Sequence, residues 1–296
     1  MPKSQLHGHL AMLLMSFCIA GSFSLGSEIA NVVLPDALTA IRFVTAAIFM
    51  GCIITLNGKA KRRHFAAPWR FLLLGAVFSV YFVAMFEALK ITAPVSTSAV
   101  ATLIPLMTAI FGYALLRQAM TKRMALALAI GACGALWVIF KADLNAFVKF
   151  DLGLGEFIFF FGAAAHALYT VLFRKLNRGE PVTVSTFGVM VGGAIALIIY
   201  SYQNILDTNW LELPARFWLI FTYLVLITTS LTFFLTQFAA LRLPSAKVMA
   251  YTYLVPSWVI LWEWVIGNGL PDLKISVGVA ITTIALLILL KNEEKA

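Results

Sequence analysis

The sequence predicts an all-α integral membrane fold: ten transmembrane helices arranged as two inverted five-helix repeats around a central cavity. Three observations carry this. First, 61% of the residues are hydrophobic and only 12% are charged, about half the charge of a soluble domain. Second, the apolar residues gather into runs of about 20, the length that crosses a bilayer as a helix. Third, the chain reads twice. Ala-Leu-Lys at 88–90 leads to Leu-Ile-Pro at 103–105, and Ala-Leu-Arg at 240–242 leads to Leu-Val-Pro at 254–256. Five spans per repeat is an odd number, so the second copy must enter the bilayer from the other side, an arrangement typical of transporters.

The expected spans are 9–31, 35–56, 69–90, 94–116, 122–140, 152–173, 182–202, 216–240, 246–267 and 273–290. The first has no small-residue cleavage site after it and reads as a retained helix rather than a leader. Residues 1–143 form the first repeat and 150–291 the second, with the mixed-charge segment 141–151 between them. No loop is long enough for a soluble domain. Small residues at four-residue spacing, Ala127, Gly131 and Ala135 in the fifth span and Gly188 and Gly192 in the seventh, permit close helix approach. They serve packing within one chain or the face of a homodimer.

The net charge of +9 belongs to the loops and does not imply nucleic acid. Lys59, Lys61, Arg62, Arg63, Arg117, Lys122, Arg123, Arg174, Lys175, Arg178, Arg242 and Lys247 fall on one side of the alternating spans. By the positive-inside pattern that side is cytoplasmic, together with both termini. The outer side keeps Lys90, Lys141, Lys149, Arg216 and Lys274. Trp210 and Trp218 mark the outer interface, where indoles settle.

An ionisable group within the bilayer costs about 2.5–3.5 kcal/mol, so it needs a partner, water or a route to the interface. Glu28, Arg42, Glu87 and Glu263 all fall in the outer third of their spans. Either Arg42 pairs with Glu28 or Glu87 and the remaining carboxylates reach the interface, or this layer binds a charged substrate or forms an outer gate. In the second case Arg42 holds a carboxylate and an acidic residue holds an amine. Glu263 lies seven residues after Pro256, on nearly the same helical face, and is a candidate proton carrier that can also snorkel. His166 lies deep in the sixth span. It is a packing histidine, or it shuttles protons or donates to substrate. Pro105 and Pro256 occupy matching places in the repeats, where a missing N–H bends a helix beside a cavity or a neighbour. Tyr253 shares the face of Pro256 and Glu263 and is the aromatic candidate for substrate contact. Trp258 and Trp262 form a stripe facing lipid. The polar run from Thr228 to Gln237 bonds either substrate or a neighbouring helix.

Several motifs resemble the EamA-type branch of the drug/metabolite transporter superfamily. They are Leu-Thr-Ala-Ile-Arg-Phe at 38–43, Phe-Glu-Ala-Leu-Lys at 86–90, Gly-Glu at 155–156, Ala-Leu-Tyr-Thr-Val-Leu-Phe-Arg at 167–174 and Leu-Val-Pro-Ser at 254–257. The resemblance implies two inverted five-helix repeats and secondary transport of a small metabolite, often export of amino acids or related compounds. The chain departs from the family pattern where Arg117 and Asn268 replace a common acidic residue and His166 replaces a common Trp.

The sequence therefore reads as a secondary carrier in a bacterial inner membrane, partnered by lipid and a small metabolite and open to proton coupling. It has no Gly-x-x-x-x-Gly-Lys-Ser/Thr loop for ATP. No cofactor or metal is expected: Cys18, Cys52 and Cys133 match no ligand spacing. A membrane enzyme would need a clustered catalytic set, which the spans lack. A non-transporting membrane subunit is the other rival.

Overall fold

The computed structural model describes residues 3–56, 58, 61–118, 120–143 and 152–290. Most of the 141–151 segment, with Lys149 and Lys59, lies outside the described residues. Regular structure among the described residues is helical. It consists of α1 (Lys3–Ile29), α2 (Pro35–Leu56), α3 (Trp69–Leu89), α4 (Pro94–Ala101), α5 (Ile104–Leu116), α6 (Lys122–Ile139), α7 (Leu154–Leu176), α8 (Val182–Asp207), α9 (Ala215–Val225), α10 (Thr232–Ala240), α11 (Ser245–Met249), α12 (Val255–Ile266) and α13 (Leu273–Leu290). α4 and α5 make one crossing, Pro94–Leu116. α9 and α10 make another, Ala215–Ala240, joined through a π turn at Leu226–Leu231. Nine helices among the described residues are long and apolar enough to cross a membrane.

The stretch expected as a ninth continuous span is instead three pieces. α11 gives way to a 3-10 segment, Ala250–Leu254, and then to α12. Pro256, in the first turn of α12, cannot donate to the preceding turn, so the α-helical ladder restarts there. The seventh span runs on past its expected end at 202, bending at Ser201. The Ser201 hydroxyl donates to the Leu197 carbonyl at 2.6 Å, a back-bond that bends helices.

The bundle has two ends. One holds the basic segment 61–70 and the start of α1; the other holds the end of α1 and the start of α7. We call them the basic end and the opposite end. α2 and α8 run antiparallel. Asn204 Nδ2 donates to Asp36 Oδ2 at 2.6 Å at the opposite end, while Gly51 faces the Phe187 ring nearer the basic end. α6 and α13 are antiparallel as well. Arg123 Nη2 donates to the Ile288 carbonyl at 2.6 Å, and Trp137 Nε1 donates to the Lys274 carbonyl at 2.8 Å at the other end of the pair.

Small residues set the closest approaches. Gly75 of α3 lies against the backbone of Val189, Gly192 and Gly193 in α8, where any Cβ would collide. Gly188 receives the Phe71 ring, Gly131 receives the Tyr253 ring, and Gly134 meets the Gly278 carbonyl. Both small-residue stripes are thus filled from within the chain. Their packing supplies the association that lipid, being apolar itself, does not drive. α1 lies against α10 and α12, and α7 lies against α3 and α5. These helices enclose an aromatic interior.

Candidate functional site

α2 carries Arg42 seven residues past Pro35, about 10 Å along the axis, and the side chain is wholly buried. Its Nε donates to Thr229 Oγ1 and its Nη2 donates to Thr228 Oγ1 at 2.6 Å. The guanidinium carbon stands 4.2 Å from the centre of the Phe82 ring and 5.8 Å from that of Phe86, a cation–π arrangement. The π turn prepares the acceptors. The Thr229 and Ser230 hydroxyls donate five residues back, to Leu224 at 2.8 Å and Val225 at 2.9 Å. The Thr228 hydroxyl donates to Leu224 at 3.1 Å. With their protons so engaged, Thr228 and Thr229 offer lone pairs to the arginine. Arg42 Nη1 is buried without a partner.

The expected pairing of Arg42 with Glu28 or Glu87 does not occur. Glu28 accepts from Arg216 Nη2 at 2.6 Å and Nε at 2.7 Å. Glu87 accepts from Lys90 at 3.0 Å. Both carboxylates lie within a turn of the opposite end, where cations with long stems reach them while keeping contact with the interface. Arg42 is deeper and finds hydroxyls instead.

His166 of α7 is 5% exposed. Its ring centre lies 4.5 Å from that of Tyr81 and 4.8 Å from that of Phe78, and neither ring nitrogen has a partner. Phe78 stacks on Tyr169 at 4.2 Å and meets Phe233 at 4.3 Å. Phe233 lies parallel to Phe82 at 6.2 Å. An unbroken set of rings therefore joins His166 to the aromatic face beneath Arg42. Gln237 fixes the far side: its Nε2 donates to the Tyr169 hydroxyl at 3.0 Å, and its Oε1 accepts from Thr186 at 3.0 Å. The polar run of the eighth span is thereby divided between Arg42, this glutamine network and its own backbone.

Pro105 and Pro256 are both buried, and each stands in the first turn of a helix that follows a break. They mark restarts rather than bends within continuous helices. Tyr253 lies in the 3-10 segment and Glu263 in the helix that follows it. Its ring fills the space at Gly131 of α6, and its hydroxyl is buried without a partner. Glu263 Oε2 accepts from Asn268 Nδ2 at 2.9 Å, while Oε1 is unpartnered. Trp258 and Trp262 face α1 rather than lipid: Trp258 Nε1 donates to Ser16 at 3.2 Å, and both rings lie near Phe17.

Three acidic residues escape a reading by depth alone. Asp36 opens α2 and is held by the Ala37 amide and Asn204. Glu156, in the first turn of α7, is 4% exposed and accepts from Ser96 at 2.6 Å and Thr92 at 3.4 Å. Glu180 accepts from buried Arg70 at 2.6 Å. Each sits at a helix terminus, where a carboxylate near backbone N–H groups is a usable signal. At the opposite end an open cavity of about 380 Å³ is lined by residues including Val33, Asn204, Asp207, Asn209 and Glu212.

The profile of the EamA-like transporter family matches residues 6–140 and, again, residues 153–291. An uncharacterized transporter of Bacillus subtilis (strain 168), YyaM, is 26% identical over 267 residues, 88% of this chain and 87% of that protein. One crystal structure superposes with a TM-score of 0.72 over 97% of this chain and 96% of its own, at 20% identity, a likeness of fold. The apolar helices and the twofold family match together identify the chain as a multi-pass membrane protein that belongs to the EamA-like transporter family.

Proposed function

We propose that this protein is a secondary carrier that moves a small, carboxylate-bearing organic metabolite, amino-acid-like or a related compound, by alternating access. The observation that carries the reading is Arg42: a wholly buried guanidinium, held by two threonines and an aromatic face, with an N–H to spare on Nη1. Such a group recognises a carboxylate strongly in a site shielded from water. His166, unpartnered at the other side of the ring layer, supplies a second polar contact. Glu28 and Glu87 belong to the rim through which substrate passes, and the restarts at Pro105 and Pro256 are the places where the two halves flex.

Two inverted five-helix repeats are supported by helix direction. α2 and α8 hold equivalent places in the repeated sequence and run antiparallel, as do α6 and α13. Loop charge supports cytoplasmic termini, and export from a bacterial inner membrane is the direction and place proposed with them.

The test is counterflow of a metabolite panel in liposomes containing the purified protein alone. Parent protein exchanges at least one carboxylate compound. Arg42→Ala inserts equally well and does not exchange it. Normal flux in Arg42→Ala ends the assignment, and absence of flux for every compound favours a non-transporting subunit.

A further inference from the structure

The first helix of each half carries, within its first two turns, a glycine followed by a titratable residue: Gly8-His9 in α1 and Gly155-Glu156 in α7. Both pairs dock on the other half of the chain, at opposite ends of the bundle. At the basic end, Gly8 lies against Leu243, just past α10, where a Cβ would come within 3.1 Å of the leucine side chain. His9 Nδ1 and the Tyr251 hydroxyl share a hydrogen bond of 3.0 Å. At the opposite end, Gly155 lies against the Ala88 carbonyl in the last turn of α3 and against Thr92 just past it. Glu156 accepts from Ser96 at 2.6 Å and from Thr92 at 3.4 Å. The corner between α3 and α4 in one half corresponds to the corner between α10 and α11 in the other, so the two contacts are reciprocal.

We infer that these are paired latches: Glu156 on Ser96 and Thr92 closes the opposite end, and His9 on Tyr251 closes the basic end. The inference rests on the transport reading above. Both side chains are at least nine-tenths buried, and each joins the two halves through hydroxyl contacts beside a closely packed glycine, tight at Gly8 and tighter still at Gly155. A hydroxyl-to-carboxylate bond is strong when water is excluded, yet it demands no partner charge that would be stranded when the contact opens. That suits a contact made and broken in each cycle. Glu87 and Lys90, the charged groups of the adjoining α3 terminus, are paired with each other at 3.0 Å. α4 contributes no charged residue. Lys247 of α11 stands near His9.

The latches predict opposite responses to equivalent lesions. Spin labels are placed on exposed positions flanking each contact, at 91 with 154 for one end and at 6 with 241 for the other. Cys18, Cys52 and Cys133 are first replaced by alanine, and distances are read in liposomes by double electron–electron resonance without substrate. Glu156→Ala shifts the 91/154 pair to longer distances and leaves 6/241 in place. Ser96→Ala does the same should the first variant fail to insert, and Glu156→Gln, which keeps an acceptor, stays close to parent. Tyr251→Phe shifts only the 6/241 pair. Unchanged distances, or equal lengthening at both ends in every variant, overturn the proposal. Because the readout needs no flux, a protein that shifts as described but exchanges no metabolite sinks the transport reading and leaves the latches standing.

Discussion

Arg42 and Thr228 are joined across the bundle by a 2.6 Å hydrogen bond from the guanidinium of α2 to a hydroxyl in the π turn between α9 and α10. Removing the acceptor strands a buried donor, at a cost of about 1–3 kcal/mol. Thr228→Val is therefore expected to lower thermal stability in detergent by that order, and the double variant Thr228→Val/Thr229→Val by more. Thr228→Ser, which restores the hydroxyl, recovers most of the loss. Equal stability in the parent and the valine variant would show that the arginine finds other acceptors.

Arg70 and Glu180 form a buried ion pair at 2.6 Å, with side chains 3% and 4% exposed, and Arg70 also donates to the Leu176 carbonyl at 2.6 Å. Deleting one partner of such a pair costs about 3–5 kcal/mol. Glu180→Ala is expected to be the most damaging single change at the basic end, measured by thermal unfolding. Burial alone would raise the Glu180 carboxyl, but hydrogen bonds from Arg70 and the backbone, with the arginine charge, outweigh it and hold the group below its usual value of 4.5. A depressed carboxyl adds stability that is present above its unfolded value and lost as pH falls through its folded one. The parent should therefore lose stability toward strongly acidic pH more steeply than Glu180→Gln.

Tyr253 packs against Gly131 with its hydroxyl buried and unpartnered. Its removal takes away an unsatisfied group, so Tyr253→Phe should be neutral or slightly stabilising and should leave flux unchanged. A marked loss of flux with stability intact would return Tyr253 to the substrate path.

Glu263 keeps one buried oxygen unpartnered, and proton coupling, if carried by a single carboxyl of α12, runs through it. The expected result is a flux whose dependence on external pH is lost in Glu263→Gln. Identical profiles in parent and variant take the residue out of the mechanism.

Gly192 abuts the backbone of Phe71 and Leu72, atoms that cannot rotate aside. Gly192→Ala should cost about 1–3 kcal/mol through overpacking, visible as a lower unfolding temperature in detergent. An unaltered temperature would mean that the two helices have room to part.

Span positions are legible in the sequence because bilayer thickness fixes both helix length and apolarity; 35–56 and 94–116 return as Pro35–Leu56 and Pro94–Leu116. The broken 245–266 stretch is not, since hydropathy is blind to whether Ala250–Leu254 winds as α or 3-10. That local change sets Tyr253 in a 3-10 turn rather than on the helix that carries Glu263. The depth of Arg42 is legible, but its partners are not. Glu28 and Glu87 are nearer in charge and depth, and only the packed bundle shows them engaged by Arg216 and Lys90. Glu156 is marked in the sequence by its place beside Gly155, while its burial depends on how closely α7 meets the corner at Thr92.

Gly75 and Gly193 leave nothing but main chain between α3 and α8. Two helices in such contact can neither slide nor separate without a shape mismatch that no side chain can fill, so they act as a single stiff spar. In the proposed alternating-access cycle, motion that admits water from one face and then the other pivots around that spar, and a bulky substitution there is expected to disable both faces together rather than favour one.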